Sequence, residues 1–395
     1  MKYNLSNEQT RKFILIKQGL MGHYKYVGKK GALDYIKEVG CIQYDPIDVC
    51  GKNAELVLQS RVKGFKKEML YDLLYKDRKL MDYYDKVMSI LSIDDWKYFK
   101  RVRDRYDETE ENHPHLAEMK EEIKKKIEEK GYVCSKDFAN DQKVEWNWNK
   151  TSIAKAAIEL MYFHGELIVH HKKNTIKYYA LARDYIPKED YEADDPFQTD
   201  LEFYKYRVLR RISAIGLLWN RPTEAYLFIH GLRAKERTEV YQSLLKEDKI
   251  VEIEIEGINE LFYALNSDEQ ILLDIISGKT FEGRTELIAP LDGFIWDRKL
   301  TETIFDFRYK WEIYNKEEDR VYGYYVLPII SNTEFIGRIE VINQKKEKTL
   351  LVKNIWFEDH IKLTKTLKNN ILNCLDRFMT FNDCHTIDIQ TNLLK

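Results

Sequence analysis

The amino-acid sequence contains no apolar run that approaches the roughly 18–20 residues of a membrane-spanning helix. Its first residues, MKYNLSNEQTRKF, also lack the apolar core of a secretory signal peptide. Apolar residues make up 44% and charged residues 33% of the 395 positions, a composition typical of globular domains. We therefore expect a cytoplasmic protein that does not enter membranes and has about two to four domains.

Cysteine is sparse as well. The five cysteines are scattered along the chain and none belongs to a C-x-x-C pair. Cys384 lies beside His385, but adjacent residues rarely bind one ion together. An odd, irregularly spaced set argues against a disulfide framework and against a zinc site. We expect neither a metal nor any other cofactor.

The chain also lacks an excess of positive charge. Lysine and arginine total 64 against 66 aspartate and glutamate residues, so the net charge is −2. Because compact DNA-binding domains are usually basic, this balance argues mildly against a nucleic-acid partner. Binding to DNA would require a local basic surface.

Two segments repeat the order helix, short helix, helix and two-stranded hairpin, which is typical of a winged helix. Their hairpins read ELIVHHKKNTIKYYAL, residues 166–181, and IVEIEIEGINELFYAL, residues 250–265. From about residue 285, short strands separated by turn residues indicate a small antiparallel β domain. The sequence therefore predicts an α+β fold in which tandem winged helices precede a C-terminal antiparallel β domain with a late helix.

These patterns divide the chain into four predicted domains. They are a winged-helix-like domain at 1–110, a second winged helix with a basic wing at 111–185, a third with an acidic wing at 198–283, and a β-barrel-like domain at 284–395. An acidic, proline-containing linker separates the second domain from the third.

The two predicted hairpins differ in charge. The first carries Lys172, Lys173 and Lys177 at and around its tip. The second carries glutamates that share one strand face because they alternate with apolar residues, at positions 252, 254 and 256. Phosphate repels that face, so we expect the first hairpin, and not the second, to contact DNA.

A helical segment, KYRVLRR, places Arg207, Arg210 and Arg211 close together on one side. A basic stripe of this kind is more often solvated or paired with acidic groups than bound to a ligand. Beside winged helices, contact with DNA becomes an equal alternative. The sequence leaves both interpretations open.

A polar pair stands in the apolar segment CIQYDPIDVC, residues 41–50. Residues i and i+2 of a strand share a face, so Gln43 and Asp45 would project together. A carboxylate stabilises the positive charge that grows on a sugar as a glycosidic bond breaks, and it can activate a water that an amide positions. A leaving base that is already cationic departs neutral, so this pair would suffice without a strong general acid.

The same tripeptide also has a structural interpretation. Aspartate before a proline commonly forms a turn, and Gln43 could satisfy backbone groups. From these three residues alone the structural interpretation is the more common one.

Longer segments carry a resemblance that extends over nearly the whole chain. They are GCIQYDPIDV, LMDYYDKVMSIL, EWNWNKTSIAKAAIELMYFHGELIV and LIAPLDGFIWDRKLTETIFDFRYKWEIY, followed by YGYYVLP and IGRIEVI. In this order they resemble the AlkZ/YcaQ winged-helix DNA glycosylases. The resemblance implies tandem winged helices, a C-terminal β domain and excision of alkylated purines, including those in interstrand crosslinks.

The family's Q-x-Q or Q-x-D catalytic motif falls on Gln43 and Asp45. With this resemblance, Lys52, Asn53 and Arg61 near the motif become candidates for contact with DNA, together with the lysines of the first hairpin. Asp45 would stabilise the developing sugar cation and activate water, and Gln43 would position that water.

Three segments depart from the family pattern, and the mildest departure is Glu340 in place of the aspartate that ends a Gly-Arg-x-Asp motif. After the motif the chain has a carboxylate, Glu55, close behind Lys52 and Asn53 where relatives have an Arg-Ser-His-like stretch. Farther on, Lys86 and Val87 replace a His-Glu pair. If that pair assists DNA binding or chemistry, the substrate range or the activity would change.

The leading hypothesis is therefore a monofunctional DNA glycosylase that hydrolyses the N-glycosidic bond of cationic N-alkylated purines such as N7-alkylguanine, including those in crosslinks. Its expected partner is double-stranded DNA with alkylated bases, bound by a monomer associated with the nucleoid. A DNA-binding regulator without enzymatic activity and a protein-interaction module are the alternatives.

Overall fold

A computed structural model of the protein describes residues 1–138, 142–146 and 149–394. The chain forms two compact units that interleave in sequence. Unit 1 contains Met1–Leu70, Tyr84–Ile90 and Asp200–Lys395, and unit 2 contains Tyr71–Tyr83 and Leu91–Thr199. The predicted division into four consecutive domains stays a prediction.

The α-helices of the described residues are α1 (Asn7–Lys17), α2 (Gly28–Val39), α3 (Asn53–Gln59), α4 (Lys67–Tyr75), α5 (Lys100–Arg103), α6 (Asp107–Glu111), α7 (Ala117–Lys130), α8 (Ile153–His164), α9 (Lys188–Tyr191), α10 (Asp200–Ile215), α11 (Ala234–Lys246), α12 (Glu269–Ile276), α13 (Arg298–Phe305) and α14 (Lys365–Phe381). No helix within the described ranges is long and apolar enough to cross a bilayer.

The strands are β1 (Lys2–Leu5), β2 (Tyr26–Val27), β3 (Cys41–Gln43), β4 (Val62–Lys63), β5 (Leu80–Tyr84), β6 (Met88–Ser92), β7 (Lys143–Trp146), β8 (Asn149–Ser152), β9 (Leu167–Lys173), β10 (Ile176–Leu181), β11 (Leu218–Trp219), β12 (Ile250–Ile255), β13 (Ile258–Leu265), β14 (Thr285–Leu287), β15 (Val326–Ser331), β16 (Glu334–Gln344), β17 (Thr349–Phe357) and β18 (Thr386–Ile389). Helices and sheets of this kind confirm the predicted α+β class.

The C-terminal strands form one sheet in the order β14-β15-β16-β17-β18. Its strands are antiparallel as predicted, except that β18 pairs parallel to β17. The central strand β16 is almost entirely buried, including Ile339 and Val341, because the sheet holds part of the core of unit 1. From this sheet, Asn343 N–H of β16 donates to Val49 O at 2.9 Å, shortly after the CIQYD segment.

Both predicted hairpins are present. In unit 2, β9 pairs antiparallel with β10. In unit 1, the acidic hairpin β12–β13 lies inside a four-stranded sheet, because β1 pairs parallel with β12 at one edge. Lys2 of β1 lies opposite Glu252 in the register and forms an ion pair of 2.7 Å with Glu254. The acidic row is thus partly neutralised by the first residues of the chain.

The turn between β5 and β6 is fixed by a buried charge cluster in unit 1. The Asp85 carboxylate, which is fully buried, is paired with three guanidinium groups of α10: Arg207 at 3.0 Å, Arg210 at 2.8 Å and Arg211 at 2.7 Å. Burial alone would raise the pKa of Asp85, but these arginines, first Arg211, hold it well below its usual value. Of the two interpretations of the basic stripe, the ion-paired one is confirmed.

We predict that Asp85→Asn lowers the free energy of unfolding by about 3–5 kcal/mol, because it leaves buried guanidinium groups without their counter-charge. Urea denaturation measures this loss. In the wild type, the stabilisation from Asp85 is present above the unfolded pKa of about 3.9 and is lost as the pH falls through the lower folded value.

The matched control is Asp34→Asn, which removes an exposed carboxylate that pairs with Lys30 one helical turn away. Its effect should stay below about 0.5 kcal/mol. A similar small loss in both variants would contradict the role given to the buried cluster.

Candidate active site

The Gln-x-Asp motif lies at the end of a short strand. Helix α2 ends at Gly40, whose φ of +82° is readily adopted only without a side chain, and β3 follows at once. β3 ends at Gln43, and Tyr44 N–H donates to Met88 O at 2.9 Å. Asp45 therefore lies beyond the regular strand, so the predicted strand alternation does not extend to it. Gln43 and Asp45 are nevertheless both partly exposed beside the buried Cys41.

The Asp45 carboxylate forms a local turn and is not neutralised by a described cation. Its Oδ1 accepts the backbone N–H of Ile47 at 2.9 Å, which forms the turn expected around Pro46. Burial raises the pKa of Asp45, and the hydrogen bond from Ile47 offsets part of this effect. Within the part of the chain that the structure describes, no lysine or arginine pairs with Asp45. Such a carboxylate can act as a base or face a developing positive charge.

Asn53 ties the motif strand to the segment that precedes Trp296. Its Nδ2 donates to Gln43 O at 2.8 Å, and its Oδ1 accepts from Leu291 N at 2.9 Å. The side chain is 1% exposed. Because both ends of the amide are engaged, Asn53 fits a positioning role for Gln43 and does not fit the DNA contact predicted for it.

The side chain of Gln43 meets a buried lysine. Lys86 Nζ donates to Gln43 Oε1 over 3.4 Å and lies 5.0 Å from the ring centre of Trp296. Burial, and after it the Arg211 guanidinium, lower the pKa of Lys86 to about 8. The anchored neighbour Asp85 holds the turn that brings this amine to the motif.

In the sequence, Lys86 stands out only as a departure from the family pattern and is not among the predicted site residues. The departure itself was the available signal, since a lysine in place of the family's histidine changes the charge at that position. The 42 residues between Gln43 and Lys86 concealed their contact, which depends on the pairing of β3 with β6.

Aromatic side chains surround the segment that follows the motif. The Tyr325 hydroxyl donates to Gly51 O at 3.4 Å, and the Trp311 ring packs edge-on against the Tyr325 ring at 5.8 Å. Burial, and to a lesser degree the nearby Cys50 and Asp45, raise the pKa of Tyr325 well above its usual value. Tyr325 therefore stays un-ionised, and its ring forms part of an apolar surface near the motif.

Arg61 is a structural residue. Its side chain is fully buried, and its guanidinium forms an ion pair of 2.8 Å with the equally buried Asp292. The Arg61 guanidinium also donates hydrogen bonds to Gln18 O and Val57 O, each at 3.1 Å. Because the guanidinium is enclosed and its donors are engaged, the predicted contact of Arg61 with phosphate does not fit the structure.

Glu55, the carboxylate that follows the motif near Lys52, has a structural role. Glu55 is 3% exposed and accepts the backbone N–H of Lys52 at 3.1 Å, which caps the start of α3. Glu55 is therefore turned into the fold and lies 3.7 Å from Lys67. Lys52 itself is partly exposed.

Of the three lysines on the first hairpin, Lys173 is the exposed one. Lys172 Nζ pairs with the buried Asp82, and its side chain is 8% exposed. Lys177 Nζ lies 5.8 Å from the ring centre of Tyr162, and burial lowers its pKa. The predicted basic cluster is thus reduced to one outward-facing charge, because partners distant in sequence enclose the others.

Within residues 1–138, 142–146 and 149–394, no group of three or more His, Cys, Asp or Glu is placed to hold a metal ion. The five cysteines are free thiols and all are buried.

Comparison with known proteins adds a family and a fold. A family model described as DNA glycosylase AlkZ-like matches residues 36–381, which include every predicted site residue. The solved structure of the Streptomyces sahachiroi DNA glycosylase AlkZ superposes with a TM-score of 0.64 at 11% sequence identity. That match covers 99% of this chain and 100% of the other. At this identity, the structural likeness establishes a shared fold.

We predict that Arg61→Met lowers the free energy of unfolding by about 3–5 kcal/mol, because it leaves Asp292 as an unpaired buried charge. Below its unfolding transition, the variant should bind duplex DNA as the wild type does in fluorescence anisotropy. Lys63→Met, at an exposed neighbouring position, serves as the control for stability. If folded Arg61→Met binds DNA more weakly and with a smaller salt dependence, the result would contradict this assignment and support a contact of Arg61 with phosphate.

Proposed function

Because the chain belongs to the AlkZ-like DNA glycosylase family, we propose that it releases alkylated purine bases from DNA by hydrolysing their N-glycosidic bonds. The single observation that carries the proposal is the partly buried Asp45 carboxylate, which has no cationic partner among the described residues and stands two positions from Gln43. The family indicates the class of reaction, and this carboxylate is the group that can stabilise positive charge and accept a proton in it.

Asp45 acts on the sugar. As the base departs, positive charge develops at C1′ and the ring oxygen, and a carboxylate nearby stabilises it. Two opposite charges about 4 Å apart interact by about 4 kcal/mol at an effective dielectric constant near 20. The raised pKa of Asp45 also suits it to take the proton of an attacking water.

Gln43 holds that water. Its Oε1 accepts from Lys86, so the amide is oriented and Nε2 is directed to a different acceptor. A water that accepts from Nε2 and donates to Asp45 would be aligned for attack on C1′. Asn53 keeps the Gln43 backbone in place through its hydrogen bond to the carbonyl oxygen.

The preferred substrate is a cationic N-alkylated purine such as N7-alkylguanine. Such a base leaves as a neutral molecule, so the reaction does not require a strong acid to protonate it. The bond broken is the same in a crosslinked purine, so crosslinks fall within the proposed substrate class. Water is the nucleophile for base release, as in a monofunctional glycosylase.

DNA binding is assigned to the paired helices and hairpins. The order α7, α8, β9–β10 and the order α10, α11, β12–β13 support the interpretation as tandem winged helices. On the first hairpin, Lys173 is the proposed phosphate contact, and near the motif Lys52 has this role. The second hairpin is assigned no contact, because its glutamates repel phosphate and the nearby Lys2 of β1 is already paired with Glu254.

A DNA-binding protein without glycosylase activity is the second candidate. The observation that favours it is Lys86, whose ammonium form beside Gln43 would repel both a cationic base and a developing sugar cation. Release of free base from alkylated duplex DNA distinguishes the two candidates directly.

We predict that Asp45→Asn lowers the rate of N7-methylguanine release from methylated duplex DNA by about 10²–10⁴-fold, because the amide neither stabilises the sugar cation nor accepts a proton. Base release is measured by chromatography of the free base, and DNA affinity by anisotropy. The affinity should be unchanged.

Asp48→Asn is the matched control, since it removes a carboxylate three positions later in the same segment. The Asp48 carboxylate is engaged by Lys345 Nζ at 2.8 Å and by Gly51 N–H at 3.1 Å, so it is not available for chemistry. Undiminished base release by Asp45→Asn, or an equal loss in both variants, would refute the proposed role.

For DNA binding, we predict that Lys173→Ala weakens affinity and reduces the slope of log affinity against log salt by about 1, the share of one phosphate contact. Lys188→Ala, an exposed lysine of unit 2 outside the hairpin, should leave the slope unchanged. Anisotropy titrations at several salt concentrations give both slopes. Equal slopes for Lys173→Ala and the wild type would exclude this contact.

A further inference from the structure

Lys86 differs from other buried lysines of the chain in what surrounds its amine. Lys17 pairs with Glu38 at 3.1 Å and Asp268 at 2.9 Å, and Lys120 pairs with Glu166 at 2.8 Å. Lys86 is buried to a similar extent, at 7% exposed, yet in the described part of the chain no carboxylate lies within ion-pair distance of it. Its partners are the Gln43 amide and the Trp296 ring.

The groups around Lys86 come from several elements, and burial together with Arg211 of α10 favours its neutral form. Cys41 of β3 and then Glu224 act in the opposite direction, and the repulsion from Arg298 of α13 is smaller than either effect. Burial is the largest effect, and the resulting pKa of about 8 leaves roughly one amine in ten neutral at pH 7. A cationic base bound at the motif would increase that fraction.

The neutral form of a desolvated amine is a nucleophile for carbonyl carbons. The proposed reaction produces such a carbon, because an abasic deoxyribose opens to an aldehyde at C1′. Lys86 Nζ is directed at Gln43 Oε1, and Gln43 is the residue assigned to hold water against C1′. The amine therefore lies beside the position that the aldehyde would occupy.

We propose that Lys86 is a catalytic amine that forms an imine with C1′ of an abasic deoxyribose and gives the protein a DNA strand-cleaving lyase activity. The location of C1′ rests on the proposed function, but the substrate of this step is any abasic site. The proposal adds a second activity to hydrolytic base release and departs from the expectation of a monofunctional enzyme.

The chemistry balances without an oxidant or a metal. The nitrogen lone pair attacks C1′ to form a C–N bond, and the carbinolamine loses the aldehyde oxygen as water, which carries away both amine protons. The imine acidifies C2′–H, and Asp45 is the base available to accept that proton. The electron pair forms a C2′=C3′ double bond as the C3′–O bond breaks and the 3′ phosphate leaves. Hydrolysis of the imine then restores Lys86.

The test uses the full-length protein and a duplex with one abasic site, made beforehand by removing a uracil. Borohydride reduces an imine to a stable secondary amine, so the wild type should become crosslinked to labelled DNA. Without borohydride it should cut the strand and leave a 5′-phosphate. Lys86→Met and Lys86→Arg should each reduce the crosslink at least tenfold, and peptide mass mapping should place it on Lys86.

Two further variants make the result specific. Asp45→Asn should retain the borohydride crosslink while cutting the strand more slowly, even though it no longer releases alkylated base. Lys63→Met, which removes an exposed lysine, should behave as the wild type. Lys86→Arg keeps the charge and nearly the volume, and its thermal unfolding and DNA affinity show that it is folded.

Absence of a wild-type crosslink, or an undiminished crosslink in folded Lys86→Arg, would overturn the proposal. Neither result depends on base release, because the abasic site is supplied ready-made. Failure of the proposed function would be seen separately, as no release of N7-methylguanine by the wild type.

Discussion

The arrangement of the candidate site depends on one buried interaction, that of Asp85 with three guanidinium groups of α10. A single carboxylate surrounded by three arginines leaves an excess of positive charge inside unit 1. The same cluster fixes the turn before β6. Its Arg210 also donates a hydrogen bond of 2.7 Å to the Gly40 carbonyl oxygen, immediately before β3. Two chain segments that carry site residues are therefore positioned by one charge cluster.

That cluster also determines the electrostatics of the neighbouring amine. Arg211 pairs with Asp85 and, after burial, contributes most to the low pKa of Lys86. Both side chains lie near the Trp296 ring, with the Arg211 guanidinium 5.9 Å and the Lys86 amine 5.0 Å from its centre. Structural stability and site chemistry are thus coupled, because a change at α10 alters both the anchor of the turn and the protonation of Lys86.

Local patterns in the sequence were sufficient for the α+β class and both hairpins. Alternation, turn residues and motif spacing all act within about twenty residues of one another. The predictions that did not fit, at Arg61, Asn53, Lys172 and Lys177, share a physical cause. Each side chain has a partner that is distant in sequence or is enclosed by the fold, such as Asp292 for Arg61 and Asp82 for Lys172. Long-range burial of charge cannot be inferred from spacing.

The pairing of β1 with β12 has a consequence for the solubility of folded molecules. An uncovered strand edge offers free backbone donors and acceptors to any extended chain, and such edges promote association between molecules. Here Glu252 N–H donates to Met1 O and Glu256 N–H donates to Leu5 O, so the first strand occupies this edge of the acidic hairpin. β1 then forms the edge of the sheet itself, but it is only four residues long and carries Lys2, and both features limit further strand pairing.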